Sequence, residues 1–521
     1  MPQAKGPGRL GGVLLLFALL APGCIKVGPD YVHPSTTVTD NWLDVGDKRV
    51  KTESVEHRDW WQAFNDSALN RIVDTAYRQN LSLRIAGVRV LEARAQLGIA
   101  IGEFFPQTQQ AFGSVEKIRI SDRAPQAAFS RNLNYRQSEL GLQASWELDF
   151  WGKYRRGIES AGASLEASVA DYDSALVSLT GDVANSYILI RTLEKRLVIA
   201  RQNVVTQEES LKIAQAKFTG GTTSQRDVEQ AKTILGNTLA TIPALEIQLR
   251  QGKNALSVLL GQSPSHLTDL LAGAADIPAP PPQVAVGIPA DLLRRRPDIR
   301  AAESRAMAQC AAIGVAKADL FPAFSLLGTL SFQASDVATF ALGDMFRWGA
   351  RNATVGPSFQ WNILNYGRIT NNVRVQDARF QELLISYQNA VLKAQQEVED
   401  ALTGFLRSQV RAQLLAESVD AARRSLDLAV LQYREGITDF TTVLTAQQSL
   451  LSEQDSLAST LGDIATNLVG VYRALGGGWV LREGQDFIPE AVKAEMAKRT
   501  NWGRLLTPAS TAAPPKSPQG E

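Results

Sequence analysis

Few side chains in this sequence are spaced for chemistry. The three histidines, His33, His57 and His266, lie far apart, and the two cysteines, Cys24 and Cys310, cannot supply a metal cluster between them. No glycine-rich phosphate loop and no Ser/His/Asp spacing is evident, so neither an enzyme nor a cofactor or metal site is expected. The 54 basic and 53 acidic residues leave a net charge of +1, which gives no basic excess for nucleic acid to recognise. The triplet Arg294–Arg296 is short and reads as a solvated face, and Cys310, in an Ala-rich helical run, reads as a small buried apolar residue.

Cys24 is different. Lys5 and Arg9 precede an apolar run from Gly11 to Ala21, and Pro22-Gly23 lead directly to the thiol. A basic region, a short apolar core and a small residue before the cut describe a bacterial export signal over residues 1–23. The cysteine at its end resembles a lipobox, which implies acylation of Cys24 as the first mature residue, with palmitate among the acyl groups. Ala21 and Pro22 stand where such motifs carry Leu and a small residue. Ile25 in the next position implies sorting to the outer membrane. No other apolar stretch reaches the eighteen or so residues of a spanning helix, so any further membrane crossing must be made by β-strands.

The elements that organise the chain are long helices. Between Lys153 and Lys217 there is no proline, and Leu165, Val169, Tyr172, Leu176, Leu179, Val183, Tyr187, Ile190, Leu193 and Leu197 recur at spacings of three and four. A helix of this length would be about 100 Å long. It ends at Phe218-Thr219-Gly220-Gly221, and a second helix is predicted from Ser224 to Leu260 with Pro243 bending it. Asp66 is a good N-cap for an earlier helix, predicted from Ser67 to Phe104 and stopped by Pro106.

The plan then repeats. Ile99, Ala100, Phe105 and Pro106 match Val315, Ala316, Phe321 and Pro322, and Trp146, Gly152 and Tyr172 match Trp361, Gly367 and Tyr387. Phe218 and Gly221 match Tyr433 and Gly436. The expected organisation is an extended segment at 24–60, a first copy (helix, two strands, two long helices) at 61–271, a Pro/Ala linker at 272–289, a second copy at 290–478, and an extension at 479–521 whose end is disordered.

Before each long helix the sequence alternates. Leu140, Leu142, Ala144, Trp146 and Leu148 interleave with polar residues, as do Val355, Pro357, Phe359, Trp361 and Ile363 and, apart from Leu327, Phe324 to Phe332. The stretch Ala111 to Ile120 alternates poorly. Period-two patterning gives a sheet with one apolar and one polar face. Together with the export signal it points to a transmembrane barrel rather than a soluble sandwich. Hydrocarbon offers no hydrogen bonds, so a spanning sheet must close, and four strands cannot. Several copies of the chain must pool their strands, and the same ring would cover the helices' apolar stripes.

These features resemble the outer membrane factor family, the TolC-like channels, in its lipoprotein efflux branch (OprM- and NodT-like). The resemblance is carried by Leu292 to Ile299, Val27-Gly28-Pro29-Asp30-Tyr31, Trp60-Trp61 with Phe64 and Asp66, and Trp146 to Gly152 with Trp361 to Gly367. It implies a mainly α TolC-like fold with a tandem repeat, a homotrimer with a twelve-stranded barrel, and a helical barrel in the periplasm. It also implies a passive exit duct in the outer membrane, working with a periplasmic adaptor and an inner-membrane pump of the resistance-nodulation-division (RND) type. The hairpin tips, here Phe218, Gly221 and Thr223 with Gly436, Thr438 and Asp439, would face the adaptor. Tyr433, Thr441, Thr445 and Gln448 would form the periplasmic gate. Where the family often has aspartate this chain has Thr445, and where some members have arginine it has Gln448, so the constriction is expected to be uncharged. A protein-secretion outlet and a lipid-anchored coiled-coil scaffold without a pore are the rival readings; only a duct requires the alternating strands.

Overall fold

The computed structural model describes residues 26–36, 38–53, 58–129, 132–272, 276–291, 295–337 and 342–507. The export signal, Cys24, His57, Leu292–Arg294 and the end of the C-terminal extension lie outside them. The chain forms two compact units, each drawing on both halves of the sequence. One takes the residues up to Pro34, Glu92–Ala167 and Glu303–Ser386; the other takes Ser35–Leu91, Ser168–Ala302 and the chain from Tyr387.

Helix α1 (Ser67–Gln79) begins on Asp66, whose carboxylate accepts the amides of Ala68 at 2.8 Å and Leu69 at 3.2 Å. The helix expected to continue to Phe104 instead breaks at Asn80, and α2 (Leu81–Phe104) starts afresh. The cause is the Asn80 side chain. Its Oδ1 accepts the Leu83 amide at 2.8 Å, capping α2, while its Nδ2 donates to the Leu259 carbonyl at 2.8 Å.

In the first unit, β1 (Thr108–Arg119), β2 (Asn134–Leu148), β3 (Ala323–Ser335) and β4 (Arg351–Gln360) form one antiparallel sheet in the order β1-β2-β3-β4. Gly113 pairs with Leu140, Leu140 with Phe332, and Phe332 with Arg351, so those side chains share a face. On the same face lie Val115, Leu142, Trp146, Leu148, Phe324, Leu326, Leu330, Val355 and Phe359. The outer edges of β1 and β4 have no strand beside them among the described residues. The segment Val27-Gly28-Pro29-Asp30 belongs to this unit. Arg156 is buried there, donating to the Val27 carbonyl at 3.2 Å and to Asp30 at 2.8 Å. Cys310 is buried beside it, with Sγ 3.7 Å from the Pro29 carbonyl, and burial pushes its thiol pKa up.

The second unit contains most of four long helices: α3 (Lys153–Thr219), α4 (Gln225–Leu259), α6 (Arg368–Arg434) and α7 (Phe440–Ala474). The remaining helix of the second copy, α5, spans Pro297–Ala318. α3 and α6 are each 67 residues long and α4 and α7 each 35, so the long-helix pair of the second copy repeats that of the first in length. α4 runs through Pro243 without ending there. The expected stripe on α3 is buried from Tyr172 to Leu197, but burial spreads wider, to Val177, Thr180, Ala184 and Ile188. Two specific contacts mark this stretch of the helix. The Tyr187 hydroxyl donates to Asp66 at 2.7 Å, and Trp60 stacks on Tyr472 at 5.4 Å beside Gly478, which faces Thr180. Each large apolar side chain buried in this way contributes roughly 1.5–3 kcal/mol. Among the described residues no helix is long and apolar enough to cross a membrane, and no cluster of three or more His, Cys, Asp or Glu could hold a metal.

Candidate functional site

Each pair of long helices is joined by a short turn. Gly221 and Gly436 adopt φ of +74° and +78°, a left-handed conformation that a side chain would strain. The Thr222 amide returns to the Lys217 carbonyl at 2.9 Å, and the Ile437 amide to the Gln432 carbonyl at 2.8 Å; both satisfy the last carbonyls of their helices. The return helices start differently: Asp439 caps α7, while Ser224 makes no side-chain cap bond at the start of α4. Asp439 accepts the Thr442 amide at 3.2 Å and its hydroxyl at 3.0 Å, whereas at the other turn Thr223 and Ser224 both donate to Asp227.

The two turns lie together. Lys217, on α3, donates to the Tyr433 carbonyl and sits 4.6 Å from the centre of its ring. Tyr433 packs at 4.9 Å on Phe440, and burial pushes its phenol pKa up. Beneath them Ala214, Val228, Ile234, Leu426, Val443 and Leu450 bring all four helices into one apolar cluster. Phe218, Gly221, Gly436 and Asp439 are exposed at the tips, with Thr223 and Thr438 half-buried.

On α7, Thr441, Thr445 and Gln448 are exposed at spacings of four and three, which places them on one stripe. The Thr445 hydroxyl is turned back onto the Thr441 carbonyl at 2.9 Å. With Ala422 and Ser425 of α6 and Thr442 and Ser449 of α7, the threonines line a shallow groove whose only ionisable lining group is Asp439. Tyr433 is only 5% exposed and stands behind this stripe rather than on it.

A family model for outer membrane efflux proteins matches residues 72–262 and 288–477, one match in each copy of the repeat. The chain belongs to the outer membrane efflux protein family. Among its relatives, a Nodulation protein T of Rhizobium leguminosarum bv. trifolii is 31% identical over 463 residues, covering 89% of this chain and 96% of the relative. The solvent efflux pump outer membrane protein SrpC of Pseudomonas putida is 32% identical over 475 residues, covering 89% of this chain and 98% of the relative. The solved structure of the outer-membrane channel OprN superposes with a TM-score of 0.80 at 34% identity, covering 87% of this chain and 99% of that one. The fold is therefore that of the TolC-like channels, and the protein is an outer membrane efflux channel, not an enzyme.

Within this efflux protein, the tip residues from both copies and the α7 stripe cluster at one end of the four-helix packing. Sequence reasoning missed Lys217, which ties the two turns together. Its counterpart 215 residues on is Gln432, so nothing in the repeat marks it.

Proposed function

We propose that this efflux channel is the exit duct of a tripartite, RND-type system: a passive pore for small molecules, energised by an inner-membrane pump and reached through a periplasmic adaptor. The working form is a homotrimer whose three four-stranded sheets close into one twelve-stranded barrel. Its long helices form the helical barrel in the periplasm, and Cys24 carries the lipid anchor.

The observation that supports this most is the sheet itself. One face presents Leu142, Leu330, Val355 and Phe359 to the outside, with Val355 80% exposed, while the other presents Gln143, Thr329, Thr354 and Ser358. Such a sheet is stable in hydrocarbon only without free edges, because each unpaired backbone group there costs several kcal/mol. Pairing β1 of one copy with β4 of the next removes both edges, and closure with three copies reaches a strand number compatible with a barrel. The exposed Leu239 and Ile247 of α4 and Leu392, Leu414 and Leu428 of α6 equally call for lateral neighbours.

In this assembly Thr441, Thr445 and Gln448 form the periplasmic gate, with Tyr433 bracing it from behind. Phe218, Gly221, Thr223, Gly436, Thr438 and Asp439 contact the adaptor. Reconstitution in planar bilayers tests the reading, since a trimer gives discrete conductance steps. A monomeric detergent-solubilised protein that gives none would overturn it.

A further inference from the structure

The sheet sorts its charges by face. On the apolar face the strands carry four cations, Lys117, Arg119, Arg136 and Arg351, and no acid; on the opposite face they carry Glu116, Glu139 and Glu147 and no base. The cations are not scattered. Lys117 pairs with Arg136 across β1 and β2, Arg119 follows two residues later, and Arg351 opens β4 opposite Phe332. All lie toward the end of the sheet where β1 turns into β2 and β3 into β4, away from the ends that join the helices.

Below the Lys117–Arg136 rung the face turns apolar at Leu140 and Phe332, on whose rung Arg351 stands at the β4 end. The Lys117–Arg136 rung lies four residues beyond, about 13 Å along the strand at ~3.3 Å per residue. Allowing for strand tilt, that is roughly the depth from the edge of the hydrocarbon to the headgroups. Aromatics accompany it: Trp348 is 74% exposed with the Arg351 guanidinium 4.3 Å from its ring, and Phe129 and Phe346 are also exposed. Aromatic side chains at this depth mark a membrane interface.

None of the four cations has a carboxylate within ion-pair reach among the described residues. Of the three acids in the described parts of the adjoining loops, Asp336 accepts the Arg136 amide at 2.6 Å and Asp344 pairs with Arg347 at 3.0 Å; the third is Asp122. The strand cations are thus available to an anion that arrives with an apolar body beneath it.

We propose that Lys117, Arg119, Arg136 and Arg351 hold the phosphate groups of a phosphorylated glycolipid in the leaflet that the hairpin loops enter, its acyl chains lying on the apolar face below. A zwitterionic phospholipid fits less well, because its own ammonium neutralises the phosphate, whereas four cations without a carboxylate require net negative charge. Arginine, which supplies three of the four, binds phosphate in a bidentate manner. The proposal rests on the apolar face being the lipid face, so its test keeps pore formation as a separate readout.

The full-length protein in non-ionic detergent is mixed with bisphosphorylated lipid A or its dephosphorylated form, and retained lipid is measured by native mass spectrometry. The phosphorylated form is expected to stay on the protein, and K117Q/R119Q/R136Q/R351Q to retain at least tenfold less. The charge-conserving R119K/R136K/R351K is expected to keep most of it. Equal retention of the two lipids, equal retention by the glutamine variant, or displacement by low-millimolar inorganic phosphate would each overturn the proposal. Conductance is measured in parallel and should be unchanged in every variant; its absence from the wild type would count against the barrel, not against the lipid site. If the quadruple variant does not assemble, K117Q/R119Q and R136Q/R351Q are compared, each with at least a threefold loss expected and none overturning the proposal.

Discussion

Trp146 and Trp361 donate the same indole hydrogen bond one repeat apart. Trp146 Nε1 reaches the Phe104 carbonyl at 3.2 Å, and Trp361 Nε1 reaches the Leu320 carbonyl at 3.0 Å. Each ties the end of a strand to the end of the helix that led into the sheet, so the duplication preserves a joint as well as a pattern. The Phe104 carbonyl is the last of α2, which has no partner within its own helix, and the Leu320 carbonyl lies in the turn two residues past the end of α5.

Replacing Trp146 by Phe removes the donor at a half-buried site and should cost about 1 kcal/mol. Trp361 is 51% exposed, so water can replace the lost bond and Trp361→Phe should cost less than half as much. Thermal melting followed by helical circular dichroism measures both. A larger loss at Trp361 would mean that a neighbouring subunit covers it.

The segment Val27–Asp30 is docked through two glycines. Gly28 has φ of +98°, and a Cβ built on it would lie 2.5 Å from Gly314 Cα; one built on Gly314 would lie 2.8 Å from the Val27 carbonyl oxygen. Neither backbone can give way cheaply, so Gly314→Val should release the segment and cost about 2 kcal/mol or more. Limited proteolysis should then cut near Pro34 in the variant and spare the wild type.

Asp47 predicts a pH effect of definite sign. The Arg49 guanidinium donates to both of its carboxylate oxygens, at 2.9 and 2.6 Å, and holds the Asp47 pKa down at about 2 from the ordinary 3.8. The same guanidinium donates to the Leu406 carbonyl at 3.1 Å and to Gln409 at 3.2 Å, pinning the N-terminal segment to α6. Because the folded value lies below the unfolded one, this stabilisation is complete above about pH 4 and is lost as pH falls toward 2. Asp47→Asn should lower stability at pH 7 by about 0.5–1 kcal/mol and shrink the wild-type loss on acidification. Melting curves from pH 5 to 2 that run parallel for the two proteins would contradict this.

The rods were legible because a helical period sustained over some sixty residues has no competing explanation, and the glycine turns because Gly221 and Gly436 end it at matching places. The break at Asn80 was not: its cap on the Leu83 amide is local, but the Leu259 carbonyl to which the same side chain donates is 179 residues away. Tyr433 shows the same limit: its position beside a turn is local information, but its burial depends on Lys217 and Phe440. The poor alternation of β1 has a physical reason in the fold, because Lys117 and Arg119 occupy what would otherwise be apolar positions.

The exposed stripe of α7 offers threonine hydroxyls and an amide where a charged ring would bind ions. Thr445→Asp would place a carboxylate between Thr441 and Ser449 in the groove, and three copies would converge in the proposed trimer. Divalent cations should then block single-channel current at concentrations at least tenfold lower than in the wild type, with the open-channel conductance little changed. Identical block in the two proteins would remove Thr445 from the pore.

The three acids on the polar face of the sheet lead to a final expectation. Glu116 and Glu139 lie on one face of β1 and β2, separated by two rungs of the ladder, and Glu147 lies further along β2, 3.8 Å from Lys153. Lys153 offsets Glu147, whereas neither Glu116 nor Glu139 has a cation within ion-pair reach among the described residues. If that face lines the lumen, three copies place six uncompensated carboxylates around it, and a low-dielectric wall focuses their field. The pore should therefore pass potassium more readily than chloride, and Glu116→Gln with Glu139→Gln should move the reversal potential under a salt gradient toward zero. Glu147→Gln should move it less. An anion-preferring wild type would mean that the acidic face does not line the pore, and would reverse the assignment of the two faces on which the membrane reading depends.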